Sequence, residues 1–529
     1  MRALLIHPDR DFELRDKLPS QEQALVQDLQ LEPLLDAMAG GDELVLRVSR
    51  EVLLSSLRGD VETIHYRQEI LTDCLASPGV VKAIYDLSWE ATEAKKEAWH
   101  WGGGILSNYP ASNLSGSVRL LEALSGILRK LRRIAEENAE RFQSRGFSRL
   151  FTTLRDELND DYLHELHEHL SRLRFGSGIP VSAWLGESNE GKDYVLHFRP
   201  ERRWEWVRRL LGTGTPVFTV RIPDRDEAGA RALSDLRDRG LKLVAKAVSQ
   251  SADHVVGFFE MLRTELAFYV GCLTLHARMA NLGIPAAFPK PMPPGERTLR
   301  GSGLCDLSLG IGMGKNPIPN ELAADGRSIC IITGANQGGK TSFLRGVGLA
   351  QLMMQAGLFV AASSYVAEVC TGILTHFRRE EDVSMKSGKL DEELGRMSAI
   401  VDVLSRDALV LFNESFAATN EREGSEIAQQ VVNALLEKRV KLLFVTHLYG
   451  FAHRLVQEQA SECLFLRAER RENGERTFKL VEGEPLDTSY GEDVYRDVFA
   501  AEGKSRNSGD AAQTASVNDV PVAAAAPVR

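Results

Sequence analysis

The sequence predicts an α/β domain with a mostly parallel sheet over residues 291–500. A mainly α-helical region, residues 1–290, precedes it and contains a small β-containing insert at about 176–250. Three observations support this. Apolar residues recur at helical spacing before residue 176, a Pro- and Gly-rich run (286–303) marks a boundary, and apolar strands then alternate with helical patterns.

Composition narrows the class of protein. The chain has 529 residues, 43% hydrophobic and 26% charged, which is typical of a globular protein. No apolar run reaches the roughly 20 residues that cross a bilayer, and the six cysteines include no Cys-x-x-Cys pair. We therefore expect a cytoplasmic protein with reduced thiols and without a zinc cluster. Because the net charge is −10, any nucleic-acid contact requires a local basic surface.

The helical region shows a narrow apolar seam. Leucines and an alanine alternate at steps of three and four, which is typical of long packed helices. These residues are Leu121, Leu124, Leu128, Leu131 and Ala135. Gly176, Gly178 and Pro180 end this pattern, short strands are predicted up to residue 223, and a second helical block runs from Glu227 to Asn281. The Ala-, Ser- and Pro-rich residues 501–529 are predicted to be disordered.

The strongest local signal is a phosphate-binding loop. A β-branched strand, Ile329 to Ile332, leads into the pattern Gly-x-x-x-x-Gly-Lys-Thr, and a helical pattern follows at once. In such a loop, backbone N–H groups and the helix N-terminus bind phosphate, the lysine reaches the β and γ phosphates, and the threonine hydroxyl holds Mg²⁺. The predicted nucleotide-binding residues are Gly334, Ala335, Asn336, Gln337, Gly338, Gly339, Lys340, Thr341 and Ser342.

Two further strands end in polar residues. Leu409 to Phe412 run into Asn413 and Glu414, and "VKLLFVTH" ends in Thr446-His447. Glu414 is placed to polarise a water for attack on the γ-phosphate, and His447 to sense that phosphate or hold the water. Asn413 occupies the position where an aspartate usually serves the metal. A neutral amide should weaken metal binding by about 1–2 kcal/mol, which predicts slow hydrolysis with ATP binding preserved.

Together these motifs resemble the ATPase domain of MutS-type DNA mismatch-repair proteins. The resemblance rests on "TGANQGGKT", "GLFVAASSY", "LVLFNESFAATNEREG", "FVTHLYGF" and "FKLVEGEPLDTSYGEDVYRDV", in the family's order over about residues 300–500. Within the helical region, "IHYRQEIL" resembles a core helix of the family, whose long lever helices join the ATPase to a DNA clamp. This resemblance implies a P-loop NTPase domain of the ABC type that uses ATP and Mg²⁺.

The resemblance also implies roles for particular residues. Lys340, Glu414 and His447 would be catalytic, and Thr341, Asn413 and Glu414 would serve the metal. Pro319 and Asn320 would lie against the adenine. Thr419, Asn420 and Gly424 would complete the site of a second copy, which implies a homodimer that clamps mismatched or branched DNA in repair or recombination.

The sequence departs from the family in two respects that affect function. The chain begins at the lever region, so an N-terminal mismatch-recognition domain is not expected. The family's Gly-x-Gly turn after the acidic strand is replaced by Phe416-Ala417-Ala418. An alternative function therefore stays open, namely a nucleotide-gated scaffold that hydrolyses ATP slowly and whose partner is a protein or ribosome.

Three weaker clusters complete the pattern. The Arg- and Trp-rich stretch "FRPERRWEWVRRLL" (198–211) is interpreted equally well as a nucleic-acid contact or as packed tryptophans. The "RKLRR" run (129–133) favours a solvated helix face over a phosphate track. The histidines of "HELHEHL" (164–170) favour a polar helix surface over a metal site.

Overall fold

The computed structural model describes ten stretches of the chain. They are residues 1–15, 20–58, 60–101, 109–175, 179–187, 191–197, 221–223, 225–379, 388–471 and 476–486. The chain divides into two compact units: a helical unit, residues 1–317 and 346–373, and a sheet unit, residues 318–345 and 374–529. The predicted domain boundaries at residues 290 and 500 stay predictions, and the predicted disordered tail lies outside the described stretches.

Most of the helical unit is built from α-helices. In chain order they are α1 (Ser20–Asp28), α2 (Leu31–Ala39), α3 (Glu43–Ser55), α4 (Val61–Ala76), α5 (Pro78–Trp101), α6 (Pro110–Asn138), α7 (Arg145–Glu157), α8 (Asp160–Arg172), α9 (Glu227–Leu282) and α10 (Leu307–Met313). The predicted seam of α6 is confirmed, because all five of its residues are buried. No helix among the described residues is both long and apolar enough to span a membrane.

Helix α9 is the longest element of this unit. It has 56 residues and is one uninterrupted helix, which confirms the predicted second helical block. The Asp226 side chain accepts a hydrogen bond from the N–H of Gly229 at its start, and Gly283 ends it with a positive φ of 67°. At about 1.5 Å per residue it is on the order of 80 Å long. It packs against α2, α3, α5 and α6.

Two small groups of strands among the described residues also belong to the helical unit. β1 (Val181–Leu185) and β2 (Gly191–Leu196) form an antiparallel pair in the predicted insert. β3 (Lys290–Met292) runs parallel to β7 (Ser364–Glu368), which pairs antiparallel with β4 (Leu299–Leu304). The described part of the insert therefore contains β structure, as predicted.

The sheet unit is organised around a six-stranded sheet. β5 (Asn320–Ala323) precedes it in the chain. Its own strands are β6 (Ile329–Thr333), β8 (Ile373–Phe377), β9 (Leu409–Asn413), β10 (Lys441–Val445), β11 (Cys463–Arg470) and β12 (Arg476–Glu482), in the order β12-β11-β6-β10-β9-β8. β9, β10, β6 and β11 run parallel to one another, and β12 is antiparallel to β11. The predicted mostly parallel α/β domain is thus confirmed.

Helices connect these strands. They are α11 (Lys340–Gln355), whose residues from Gly346 onward belong to the helical unit, α12 (Lys389–Val403), α13 (Glu421–Glu437) and α14 (Tyr449–Gln459). Leu409–Phe412 of β9 and all of β10 are buried, as is typical of a parallel sheet with both faces covered. Phe412 and Phe444 are cross-strand partners whose rings lie 4.9 Å apart, and Phe451 of α14 packs on Phe444 at 5.3 Å. This core holds the three polar strand ends in register.

Candidate functional site

Three strands deliver polar residues to one edge of the sheet. β10 lies between β6 and β9, and Val445 pairs with both Ile332 and Asn413. Since the strands are parallel and in register, the loop after Thr333, the pair Asn413-Glu414 and the pair Thr446-His447 leave the sheet at the same edge. The prediction that they belong to one sheet is confirmed, and their position is the usual one for ligands in α/β folds.

The loop between β6 and α11 has the backbone that a phosphate cradle requires. Gly334 and Gly339 have φ values of 111° and 89°, which glycine adopts readily. A Cβ at Gly339 would lie 3.1 Å from the carbonyl oxygen of Phe478. Gln337 also has a positive φ of 58°, and its Oε1 accepts a 2.7 Å hydrogen bond from Arg476. A loop with this backbone, placed directly before α11, is suited to an anion, because the helix dipole favours negative charge there.

Lys340 lies inside this loop. Its side chain is buried, and Nζ donates to the carbonyl oxygens of Gly334 at 2.8 Å and Ala335 at 3.0 Å. Burial lowers the pKa of Lys340 to about 8, and the nearby Glu414 carboxylate partly opposes this shift. A phosphate oxygen would be a better partner for this ammonium group than the two neutral carbonyls.

Thr341 and Asn413 meet at the start of α11. The Thr341 hydroxyl donates a 3.1 Å hydrogen bond to Oδ1 of Asn413, and both side chains are half-buried. A hydroxyl and an amide oxygen are hard oxygen donors of the kind that Mg²⁺ accepts, and Mg²⁺ usually keeps several waters and binds substrate phosphates as well. The pair fits a magnesium ion that is held mainly through water and phosphate.

A backbone hydrogen bond to Val445 holds Glu414 in place, and the side chains of His447 and Arg378 flank its carboxylate. Its φ is 55°, and its N–H donates to the carbonyl of Val445 at 2.8 Å. His447 Nε2 donates to Glu414 Oε1 at 3.2 Å, and Nη1 of Arg378 lies 3.8 Å from Oε2. The hydrogen bond from His447 is the main reason that the pKa of Glu414 is lowered. The carboxylate is therefore ionised at neutral pH and ready to accept a proton.

The turn after Glu414 is anchored in the core. Phe416 is fully buried with a φ of 63°, and its ring stacks on that of His376 with centroids 5.5 Å apart. Ser415 Oγ lies 2.7 Å from His376 Nδ1, and His376 Nε2 donates to the carbonyl of Glu393 at 3.0 Å. The Glu393 carboxylate accepts the N–H of Phe416. The phenylalanine that replaces a family glycine thus fills the core beside the turn.

His376, Arg378 and Glu393 were missed by the sequence analysis. The signal for the first two is "GILTHFRR", a fourth apolar strand that ends in polar residues like the other three. Arg378 donates its N–H to the carbonyl of Asn413 at 2.9 Å, so the end of β8 lies directly beside the end of β9. Glu393 lies on a helix and carried no local signal.

Asn320 makes contacts that differ in kind from the predicted adenine contact. Its carboxamide donates to Phe478 at 3.3 Å and accepts the N–H of Leu480 at 2.7 Å, which joins the start of β5 to β12. Pro319 beside it is exposed, as are Asn336 and Gln337, whereas Ser342 is half-buried. The adenine role of Pro319 and Asn320 stays a prediction.

The three residues expected to act on a second copy lie around the start of α13. Asn420 caps the helix by accepting the N–H of Glu423 at 3.0 Å, and Thr419 donates to the Glu423 carboxylate at 2.6 Å. A Cβ at Gly424 would lie 2.5 Å from the carbonyl oxygen of Phe416, so only glycine lets the helix approach the turn this closely. Their action on a partner stays a prediction.

The weaker clusters have different outcomes. The Arg- and Trp-rich stretch 198–211 lies outside the described residues. Lys130 pairs with Glu90, and Arg132 with Glu136 and Asp160. His164 and His169 each face a glutamate four residues away, and the described residues contain no group of three or more metal-binding side chains. The solvated helix faces that were favoured agree with these contacts.

The fold and the loop define the class, an α/β protein with a phosphate-binding loop. Comparison with models of known protein families identifies the particular family. The model of the MutS2 N-terminal domain matches residues 59–282, and the model of MutS domain V matches residues 330–502. Together they span about three quarters of the chain. The chain belongs to the MutS family.

Individual relatives are similar over parts of the chain. A DNA mismatch repair protein MutS of Listeria monocytogenes is 25% identical over 56% of the chain and 34% of its own length. The DNA mismatch repair protein MSH3 of Arabidopsis thaliana is 37% identical over 25% of the chain and 12% of its own length. The endonuclease MutS2 of Thermus thermophilus is 33% identical over 25% of the chain and 18% of its own length. The chain therefore spans at most about a third of these relatives.

Proposed function

We propose that this chain is a MutS-family ATPase that binds ATP with Mg²⁺, hydrolyses it slowly and couples its nucleotide state to clamping on mismatched or branched DNA. The observation that carries the proposal is the meeting of four groups at one sheet edge. They are the Lys340 loop, the Thr341–Asn413 pair, Glu414 and His447, each at the end of its own strand or at the start of the helix that follows. This set contains the parts that phosphoryl transfer to water requires.

Each group has a task in that reaction. The loop N–H groups and Lys340 bind and orient the phosphates, which positions the terminal phosphate for attack. Glu414 accepts the proton of the attacking water, and the hydrogen bond from His447 Nε2 holds its carboxylate in place. Bound Mg²⁺, held through Thr341 and Asn413, would neutralise charge on the phosphate oxygens.

Slow turnover follows from Asn413. An amide oxygen accepts hydrogen bonds from metal-bound waters without contributing charge, so the ion is held less tightly than beside a carboxylate. ATP binding depends mainly on the loop and Lys340 and is retained. The same residue supports the second candidate function, a nucleotide-gated scaffold whose partner is a protein or ribosome.

The proposed assembly is a homodimer. Thr419, Asn420 and Gly424 would reach the terminal phosphate bound by the second copy, so each site would be complete only in the dimer. Capping by Asn420 and the close contact of Gly424 hold this segment rigidly at the start of α13. Analytical ultracentrifugation with and without ATP tests the assembly, and a monomer under both conditions would contradict it.

The DNA part of the proposal rests on the family and on the names of the relatives, two of which are DNA mismatch repair proteins. It is tested by binding to branched, mismatched and plain duplexes at several salt concentrations, because phosphate contacts make affinity fall with salt. We expect a branched or mismatched duplex to bind better than the plain one. Equal binding at background level for all three would leave only the scaffold function.

A further inference from the structure

Arg378 lies at the edge of the candidate site, beside Glu414, and has no role in the proposed hydrolysis so far. It follows β8 directly, and its N–H donates to the carbonyl of Asn413 at 2.9 Å. This bond fixes its backbone beside the residue that takes the metal position. Its guanidinium reaches across to Glu414, with Nη1 3.8 Å from Oε2.

The pair between Arg378 and Glu414 is loose. The Arg378 side chain is 46% exposed and that of Glu414 28%, and 3.8 Å is longer than a hydrogen bond. Exposed ion pairs of this kind contribute at most about 1 kcal/mol. The guanidinium can therefore leave Glu414, or share its donors, at little cost when a stronger anion arrives.

The charges at the site favour movement of the Arg378 guanidinium toward a bound phosphate. Glu414 carries a negative charge, and the neighbouring Asn413 carries none. In the proposed function the terminal phosphate lies beside Glu414, so a further positive charge is needed there. His447 donates to Oε1 of Glu414, which leaves Oε2 facing Arg378. A guanidinium has five N–H donors in a planar fork and binds phosphate oxygens with two parallel bonds.

The geometry points to Arg378 as a residue that binds the terminal phosphate of ATP from within the same chain, and that replaces part of the charge lost at Asn413. This inference rests on the proposed function, because it assigns a role at the same nucleotide site. ADP lacks the group that Arg378 contacts, so Arg378 distinguishes ATP from ADP.

The test is isothermal titration of the full chain with ATP and with ADP, in Mg²⁺ and again in EDTA. Arg378→Ala should weaken ATP binding by about tenfold or more, the loss of one hydrogen-bonded charged contact, and leave ADP binding nearly unchanged. Arg378→Lys should fall between, because lysine keeps the charge without the fork. The loss should be at least as large in EDTA, where the remaining positive charge matters more.

Arg406→Ala is the matched control. It removes the same charge just before β9, at the opposite end of the strand, where Arg406 lies 3.7 Å from Asp407. It should leave both affinities unchanged. Equal effects of Arg378→Ala on ATP and ADP, or no effect on either, would overturn the inference. A wild-type chain that binds neither nucleotide would instead overturn the proposed function itself.

Discussion

Oγ1 of Thr341 and Oδ1 of Asn413 lie 3.1 Å apart, and the hydroxyl donates the hydrogen bond between them. Thr341 follows the lysine of the phosphate-binding loop. Asn413 ends strand β9, which is separated from β6 by β10. Under the proposed function, this contact puts a neutral amide at the position where a carboxylate would hold the metal. We therefore expect the Mg²⁺ dependence of ATP binding to respond to changes in this pair.

Restoring the acid should tighten metal binding. In Asn413→Asp, the Mg²⁺ concentration that half-saturates ATP binding should fall by about tenfold, because a charged acceptor adds about 1–2 kcal/mol over a neutral one. The measurement is a Mg²⁺ titration at fixed ATP. An unchanged midpoint would mean that Asn413 does not lie at the metal.

The hydrogen bonds among Ser415, His376 and Glu393 support the turn that carries Glu414. We expect them to control ATP turnover and not ATP binding. Ser415 Oγ donates to the carbonyl of His376 at 2.6 Å, and burial keeps this imidazole neutral by lowering its pKa to about 4. His376→Ala removes the support of a turn with two positive φ values, Glu414 and Phe416. We expect kcat to fall by about tenfold to a hundredfold with the Kd for ATP unchanged, since a small displacement of a catalytic group has that effect.

The conservative variant His376→Gln serves as the control for that experiment. An amide can still donate to the Glu393 carbonyl, so part of the lost kcat should return. If alanine and glutamine variants lose ATP affinity together with turnover, the network is needed for folding of the site and not for positioning Glu414.

Binding of ATP at alkaline pH should be accompanied by protonation of Lys340. Its lowered pKa, about 8, means that a substantial fraction is neutral at pH 8–9 in the free protein. Phosphate favours the charged form, so binding in this range should take up a proton, and ATP affinity should fall as the pH rises above 8. The phosphate itself is fully ionised there, because its second pKa lies near 6. Calorimetry in buffers of different ionisation enthalpy measures this uptake, and zero uptake at pH 8.5 would contradict the prediction.

In the helical unit, Glu265 of α9 should make stability depend on pH. Its fully buried carboxylate accepts the N–H of Leu5, and that of Phe12 at 3.2 Å, which ties the N-terminal segment to α9. Burial is the main reason that its pKa is raised to about 7 from 4.5. A raised pKa favours the protonated form, so its contribution is complete below pH 4.5 and is lost as the pH rises through 7.

Comparison with Glu265→Gln isolates this effect. Between pH 4.5 and 8 the wild type should lose about 3 kcal/mol of unfolding free energy relative to the variant. Titration of His7 in the same segment, whose pKa is lowered to about 4 mainly by burial, largely cancels in the comparison. Urea unfolding at several pH values measures the difference, and parallel curves for the two proteins would refute it.

Those parts of the site that follow apolar strands could be predicted from the sequence. Phosphate-loop strand β6 and strands β9 and β10 each have buried runs that end in polar residues, and parallel pairing brings such ends together. The apolar seam of α6 and the length of α9 could also be predicted from the sequence, because helical periodicity persists through both.

The supporting residues could not be predicted in the same way. His376 and Ser415 are 39 residues apart, and Glu393 acts from a helix, so only tertiary packing brings them to the turn. Phe416 also runs against local preference, since a bulky residue seldom adopts a positive φ. Burial of its ring against His376 outweighs that preference. The side-chain contacts of Asn320 with β12 depend on packing for the same reason.

The most direct test of the central claim is ATP turnover by the wild type and by Glu414→Gln, with ATP affinity measured in the same preparations. Loss of the base should reduce kcat by about a hundredfold or more. ATP affinity should be retained, because Lys340 and the loop N–H groups are intact. A variant that binds ATP and turns it over as fast as the wild type would show that Glu414 is not the base and would contradict the account.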